Sequence, residues 1–417
     1  MVVAVEPDFA PGIKESTPAN LRAWFLNNDG TLNGIPVTAA DAAAITRGGY
    51  VGMAVLNAAQ VDASGCFAGV SGAGQPGNAV DLAANAGRVV AILLTTDHNR
   101  PNALVNQLNL PPDGINCVDL VVSDVGVIRI HEGRFILQEV APGWTVEGVE
   151  SVIGAKLSAS PSLREMDFTP HPGQPPSKIY SDGLSALADL SNGATVFIDG
   201  FGGPGGMAHY LLVAVRDTGK KNLTIVSNTA GIARVVSFGT PPGRTAIDHS
   251  ILIENGQVAK AIASFPVSPS VSRPSEFELA YRRGEVDLEL VPQGTLAERL
   301  RAGGAGVLAF YTPTGAGTLI GEGKEQREFD GRPYILEYGL RADFAVIRAH
   351  KADTSGNLVY RGTSRNFNAV MAPSARITVA EVDEIVEPGQ LDPEEIVTPG
   401  VFVQRIVRRP DGFTGYD

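Results

Sequence analysis

The sequence predicts an α/β protein of two related domains, with mainly parallel sheets covered by helices. Three observations lead there. Short, almost uninterrupted aliphatic runs recur in both halves of the chain, as expected of strands buried on both faces. Strand, loop, helix and strand follow in order through "ATVFIDGFGGPGG" (194–206), "MAHYLLVAVRDTG" (207–219) and "NLTIVSN" (222–228), which is a parallel α/β unit. Finally, "TPHPGQPPS" (169–177) places four prolines in nine residues, which neither a helix interior nor a central strand accepts. It reads as a linker between a region at 1–168 and a second at 178–409, with 410–417 as a tail.

Taken in order, "RVVAILLTT" (88–96), "CVDLVVSDVGVIRI" (117–130) and "RFILQEVA" (134–141) are strands, and "HEG" (131–133) between the last two is a hairpin turn. "TVEGVESVIGA" (145–155) is a helix: Thr145 is a cap residue, and Val146, Val149 and Ile153 keep helical spacing. In the second region "SALADLSNG" (185–193) is a helix ending near Gly193. The unit at 194–228 follows it, and "GTLAERLRAGG" (294–304) is a further helix.

Bulk composition narrows the function. At 417 residues the chain is long enough for two or three domains, and 44% hydrophobic against 19% charged residues allows large cores. A net charge of −12 with no basic run disfavours nucleic acid and anionic membrane surfaces as partners. Cys66 and Cys117 lie far apart in sequence and form neither a disulfide framework nor a zinc motif. The start has no basic segment leading a long apolar run, and no stretch of about 18 apolar residues occurs, so the expectation is a soluble cytoplasmic protein.

Several patterns bear on chemistry. The run 199–211 leaves a strand, crosses a glycine-rich turn and enters a helix, where backbone N–H groups can hold phosphate. It has no G-x-x-x-x-G-K-[ST] and meets G-x-G-x-x-G only loosely, so a nucleotide cofactor is not indicated. The six histidines show no HExxH or paired metal spacing. Asp97 and His98 read as a surface or outer pair at a strand end, and Glu298, Arg299 and Arg301 as a solvated helix face. Asn228 and Gln293 stand at strand ends, where open α/β sheets place ligands. Gly303, Gly304 and Gly306 leave two readings open: turns at a helix end, or bare backbone approaching a bulky ligand.

Long stretches of the second region resemble the α-type domain of the family I coenzyme A transferases, in the 3-oxoacid branch. They are "VPQGTLAERLRAGGAGVLAFYTPTGAGT" (291–318), "REFDGRPYILE" (327–337), "RADFAVIRAHKADTSGNLVYR" (341–361), "SRNFN" (364–368), "GATVFIDGFGGPGG" (193–206) and "LTIVSNTAG" (223–231). The first region is similar to the β-type domain of that family through "AITRGGYVGMAVLNAAQVDASG" (44–65), "GNAVDLAANAGRVV" (77–90), "CVDLVVSDVGVIRI", "EVAPGWTVEGV" (139–149) and "LREMDF" (163–168). The order is β-type then α-type, the reverse of the common fusion.

The resemblance implies transfer of coenzyme A from an acyl-CoA to a small carboxylic acid through a glutamyl-CoA thioester intermediate. Coenzyme A is then a substrate, and no cofactor or metal is needed. It implies an active site between the two domain types, with 1–168 packed on 178–409 and the chain forming a homodimer. Gly200, Phe201, Gly202 and Gly205 would contact coenzyme A. Asn228, Gln293, Gly303 and Gly304 would contact the acyl group, and Gly77, Asn78 and Ala79 would hold the thioester oxyanion. The family's S-E-N-G nucleophile turn is missing, and Glu6, leaving the first strand, takes its place. Other departures are Gly205-Gly206-Met207, where the family closes G-x-P, and Asn78, where it has a second glycine. These departures keep alive a non-catalytic or subunit-dependent relative that binds coenzyme A or a partner subunit; an acyl-CoA hydrolase is the third alternative.

Overall fold

The computed structural model describes residues 2–5, 24–26, 31–32, 35–69, 78–93, 103–167, 176–199, 206–236 and 240–416. The chain divides into two compact units, Met1–Pro176 and Ser177–Asp417. Among the described residues no helix is long and apolar enough to cross a membrane.

The first unit is a mixed sheet. Its centre is parallel: Val118–Ser123, Val89–Leu93, Val51–Asp62, Val2–Val5 and Trp24–Leu26 lie side by side. Val3 is in register with Met53, and Val5 with Val55. Beyond Val118–Ser123, the strands Gly126–His131 and Arg134–Val140 add antiparallel, and Ser158–Glu165 closes that side parallel. The expected turn at 131–133 is present, with Glu132 and Gly133 both at positive φ (50° and 72°), the conformation a tight hairpin requires.

The run 117–130 is not one strand, as the sequence suggested, but two. The Ser123 hydroxyl accepts from the Val125 and Gly126 amides and donates to the Gly126 carbonyl at 3.0 Å, and this local bonding turns the chain back. Helix Val146–Ile153 forms as expected. Thr145 Oγ1 accepts from the Gly148 amide, Gly154 ends the helix at φ 79°, and Val149 and Ile153 are buried.

The second unit holds a sheet of eight strands, all parallel: Ile179–Tyr180, Arg405–Arg408, Ala375–Val382, Ala342–Arg348, Thr195–Ile198, Leu223–Thr229, Val258–Phe265 and Asp287–Leu290, in that spatial order. Strands buried on both faces explain the continuous apolar runs: Val196, Phe197, Ile198, Val346 and Ile347 are all fully buried. One face packs helices His209–Asp217, Ser250–Glu254 and Glu276–Arg282 through Leu211, Val215, Leu252 and Phe277 onto Val196, Ile198, Ile225 and Ala261. Helix Gln293–Gly304 packs against Val258–Phe265 and against the short helix Asn366–Met371.

The helix expected over 185–193 is only Gly183–Ala186, capped by Asp182. Beyond it the chain continues only as turns, with the Leu190 amide donating to the Leu187 carbonyl at 3.0 Å, and Asn192 Oδ1 accepts from the Lys221 amide at 2.8 Å. Residues 410–416, set apart in the sequence as a tail, fold back on the start of helix His209–Asp217. Phe413 meets Tyr210 edge-on at 5.6 Å, and the Ile247 amide donates to the Gly415 carbonyl at 3.0 Å.

Candidate active site

In a parallel sheet all strands end at the same edge, and ligands of open α/β proteins bind there. At that edge of the second unit, Ser227 pairs with Ala263 and Thr229 with Phe265, so Asn228 stands opposite Ser264. Side chains alternate along a strand. Ile225 and Ala261 face the helices of the large core cluster, so Asn228 and Ser264 point to the other face. That is the face of helix Gln293–Gly304. The Val291 amide donates to the Ala263 carbonyl at 3.0 Å, which brings the start of this helix beside Ser264.

Three polar atoms on this side are buried without a hydrogen-bond partner among the described residues: Asn228 Oδ1, Ser264 Oγ and Thr295 Oγ1. Buried polar atoms in folded proteins are nearly always paired, so these three call for an ordered water or a ligand as partner. The helix beginning at Gln293 adds to them. Pro292 precedes it and gives no side-chain cap, and the first amides of a helix have no intrahelical acceptor. The edge thus offers donors in the Asn228 Nδ2 group, two hydroxyls and the positive end of a helix, suited to carbonyl or developing oxyanion oxygens, while Asn228 Oδ1 can only accept.

Charged groups behind the edge are already matched. Lys260 Nζ and Arg299 Nη1 each donate to Glu289 at 2.7 Å, and Arg299 Nε donates to the Tyr338 carbonyl at 2.8 Å. Arg299 is therefore buried and paired, not part of a solvated face. Glu298 and Arg301 do form an exposed pair, at 2.6 Å. Burial raises the Glu289 pKa, but the hydrogen bonds from Lys260 and Arg299 outweigh it and hold the carboxyl below its ordinary value.

The segment after Asn228 is fixed from below. Asp248 accepts from the Ile232 and Ala233 amides, both at 2.7 Å, and from the Ser250 amide at 3.0 Å. Gly231 sits at φ +99°, where a Cβ would lie 2.5 Å from the Ser250 nitrogen, so only glycine serves there. His249 beside it is fully buried, and burial lowers its pKa, keeping the imidazole neutral. Two long-range bonds fasten the start of helix His209–Asp217. Asn368 Nδ2 donates to the Gly206 carbonyl at 2.7 Å, and Glu381 Oε2 accepts from the Leu211 amide at 3.1 Å.

Of the residues singled out in the sequence, Asn228 and Gln293 belong to this one edge; Asn228 is buried and Gln293 exposed. Gly303 and Gly304 require a correction. They end the helix in its packed interior, where a Cβ on Gly303 would lie 1.8 Å from the Leu340 carbonyl oxygen and one on Gly304 2.8 Å from Ser374 Oγ. Their bare backbone admits the chain itself in place of a ligand. Gly306, at φ 67°, is a turn glycine. Asn78 and Ala79 open the helix Asn78–Asn85 in the first unit. Glu6, Gly77, Asp97, His98, Gly200, Phe201, Gly202 and Gly205 lie outside the described residues; Glu6 directly follows the strand Val2–Val5.

Ser264 and Thr295 were missed in the sequence. Thr295 follows Gln293-Gly294 in the stretch 291–318, but a hydroxyl in a helix-like run signals nothing by itself. Among the described residues no group of three or more His, Cys, Asp or Glu is placed to hold a metal ion. A cavity of about 420 Å³ is lined by Arg216, Arg234, Ile247, Ile251, Glu254 and Asn255, and none of the candidate site residues lines it.

An all-parallel sheet with orphaned polar atoms and an open helix start at its carboxyl edge is the arrangement in which α/β proteins seat small ligands. Residues 184–409 match the Coenzyme A transferase family, and the chain belongs to that family. Such an enzyme moves coenzyme A between an acyl-CoA and an acid. One subunit of the 3-oxoadipate CoA-transferase of Pseudomonas putida is 47% identical over 230 residues, covering 55% of this chain and 93% of that protein. One subunit of the probable succinyl-CoA:3-ketoacid coenzyme A transferase of Bacillus subtilis is 46% identical over 230 residues, covering 55% of this chain and 89% of that protein. Among solved structures, glutaconate coenzyme A-transferase from Acidaminococcus fermentans superposes with a TM-score of 0.47 at 18% identity, over 56% of this chain and 76% of that one.

Proposed function

We propose that the protein transfers coenzyme A from an acyl-CoA to a small 3-oxo or dicarboxylic acid through a glutamyl-CoA thioester, with coenzyme A as substrate and no further cofactor. The observation that carries this reading is the edge formed by Asn228 and the start of helix Gln293–Gly304, which lies inside the family match at 184–409. Its relatives named for 3-oxoadipate and 3-ketoacid substrates support the acid class.

A carboxylate suits the covalent step because it is ionised at neutral pH without a base. One glutamate oxygen attacks the thioester carbonyl and coenzyme A leaves as thiolate, giving a mixed anhydride. The thiolate then attacks the glutamyl carbonyl, and the original acyl group departs as its carboxylate. The acceptor acid reverses both steps. Glu6 is the proposed nucleophile, with the amides at Gly77, Asn78 and Ala79 for the oxyanion. Gly200, Phe201, Gly202 and Gly205 are the proposed coenzyme A contacts. A cytoplasmic homo-oligomer completes the reading.

A second reading has its own support. The family match spans 184–409, and both relatives are named as single subunits of their enzymes. A chain that completes its site only with a separate partner protein fits those facts. Incubation of the purified chain with acyl-CoA and borohydride, followed by peptide mass spectrometry, separates the two. A trapped modification on a glutamate of this chain supports the first reading, and its absence, with transfer appearing only when a partner protein is added, supports the second.

A further inference from the structure

We propose that Ser264 and Thr295 are acyl-binding residues that, with Asn228, recognise an uncharged oxygen on the acyl chain. The proposal rests on the reading of this edge as the acyl site. Register sets Ser264 opposite Asn228 on one face of the sheet. The bond from Val291 to Ala263 then brings the first turn of helix Gln293–Gly304, with Thr295, alongside. Asn228 and Thr295 are 6% and 4% exposed; the Ser264 and Thr295 hydroxyls have no partner among the described residues and can donate, whereas Asn228 Oδ1 only accepts, so the Asn228 donor is Nδ2. Ser264 lies between buried Ala263 and exposed Phe265, and Thr295 lies just beyond exposed Gln293 and Gly294. Both hydroxyls therefore sit one layer below the surface of the edge.

The donors decide what kind of oxygen fits. On the strand of Ser264, Lys260 faces the same side, and Arg299 comes from the same helix as Thr295. Both cations are held by Glu289, whose neighbour on that strand, Leu290, pairs with Ala263. Lys260 and Arg299 share that one carboxylate, so charge alone does not turn an acid away; what matches a keto oxygen is the pair of neutral hydroxyl donors. A keto oxygen needs only a donor, and each hydroxyl supplies one. A site built to hydrogen-bond such an oxygen rejects the analogue that lacks it, because its own polar groups are then left buried and unpaired.

The test compares 3-oxobutyryl-CoA with butyryl-CoA in wild type, Ser264→Ala and Thr295→Val. Valine matches the shape of threonine, so the fold is kept while the hydroxyl is lost. The expected result is a fall of about tenfold in the ratio of kcat/KM for the oxo over the saturated thioester in each variant, the size of one hydrogen bond. An unchanged ratio in both variants overturns the proposal. Calorimetric binding of 3-oxobutyrate against butyrate makes the outcome independent of turnover. Wild type that transfers nothing yet binds 3-oxobutyrate with Thr295-dependent affinity sinks the proposed function and upholds the inference. Equal affinity in wild type and Thr295→Val, or no binding of either acid, overturns the inference.

Discussion

Arg299 reaches from helix Gln293–Gly304 back to Glu289 on the preceding strand, donating through Nη1 at 2.7 Å, so the helix that presents Gln293 and Thr295 is pinned to the sheet edge by an ion pair. Arg299 Nε also lies 3.9 Å from the buried Glu337. Arg299→Ala is expected to cost about 1 to 2 kcal/mol, because the Tyr338 carbonyl loses its donor and Glu289 is left to Lys260 alone, while Glu337 keeps Lys324. Urea denaturation reads this directly; a loss below about 0.5 kcal/mol would mean that solvent already satisfies the pair.

The same pair gives an acid limit. Glu289 has a folded-state pKa below its ordinary 4.5, so its stabilising share is complete above that value and is lost as pH falls through the lower folded value. Glu289→Gln should therefore flatten the decline in melting temperature below about pH 4.5 relative to wild type. Parallel melting curves for the two proteins across that range would remove Glu289 from the account.

Asn228→Ala should lower kcat/KM about tenfold, as loss of one hydrogen bond to the acyl chain does, with little change in stability. Its Oδ1 has no partner to lose among the described residues. Steady-state kinetics alongside denaturation checks both halves, and a large stability loss would show that the side chain serves the core.

Gly303→Ala should cost at least 2 to 3 kcal/mol, about the upper end of overpacking, because the new Cβ would fall on the Leu340 carbonyl oxygen and backbone cannot rotate aside. Soluble expression and thermal melting test it. A variant as stable as wild type would mean the helix end and residues 339–340 separate readily.

Cys117 should alkylate slowly at neutral pH. Burial, and then the neighbouring Cys66, push its pKa up to about 11, and only the thiolate reacts. Iodoacetamide mapping by peptide mass spectrometry should label Cys66 first, with the Cys117 rate rising steadily towards pH 10. Faster labelling of Cys117 at pH 7 would contradict this.

Glu6→Ala should abolish coenzyme A transfer and the borohydride-trapped adduct while leaving coenzyme A affinity near that of wild type. A variant that keeps transferring assigns the nucleophile elsewhere, to another glutamate of this chain or of a partner.

What the sequence conveyed was local. Aliphatic runs became strands, Thr145 capped its helix, and the Glu132-Gly133 turn closed its hairpin, because each depends on neighbours a few residues away. Asn228 and Gln293 were legible because strand ends are where ligands meet parallel sheets. Other features depend on distant partners. Arg299 looked solvated because Glu289 and Glu337 lie on other elements, and Gly303 looked ligand-facing because the Leu340 carbonyl that fills its space comes 37 residues later. The orphaned hydroxyls of Ser264 and Thr295 emerge only once register and helix placement are known.

The bond from the Leu211 amide to Glu381 carries a consequence for how the protein is made. The two residues are 170 positions apart. Ala208 offers no side-chain cap of its own, so the start of helix His209–Asp217 draws on a carboxylate that the ribosome delivers much later. At about 5 to 20 residues per second the delay is roughly 10 to 30 seconds. During that interval the nascent second unit lacks this cap, and the strand Ala375–Val382 that completes the middle of its sheet has yet to be added. Nascent chains halted before residue 375 should therefore be cut by protease within 209–217, and full-length chains should resist, making this unit fold late and all at once.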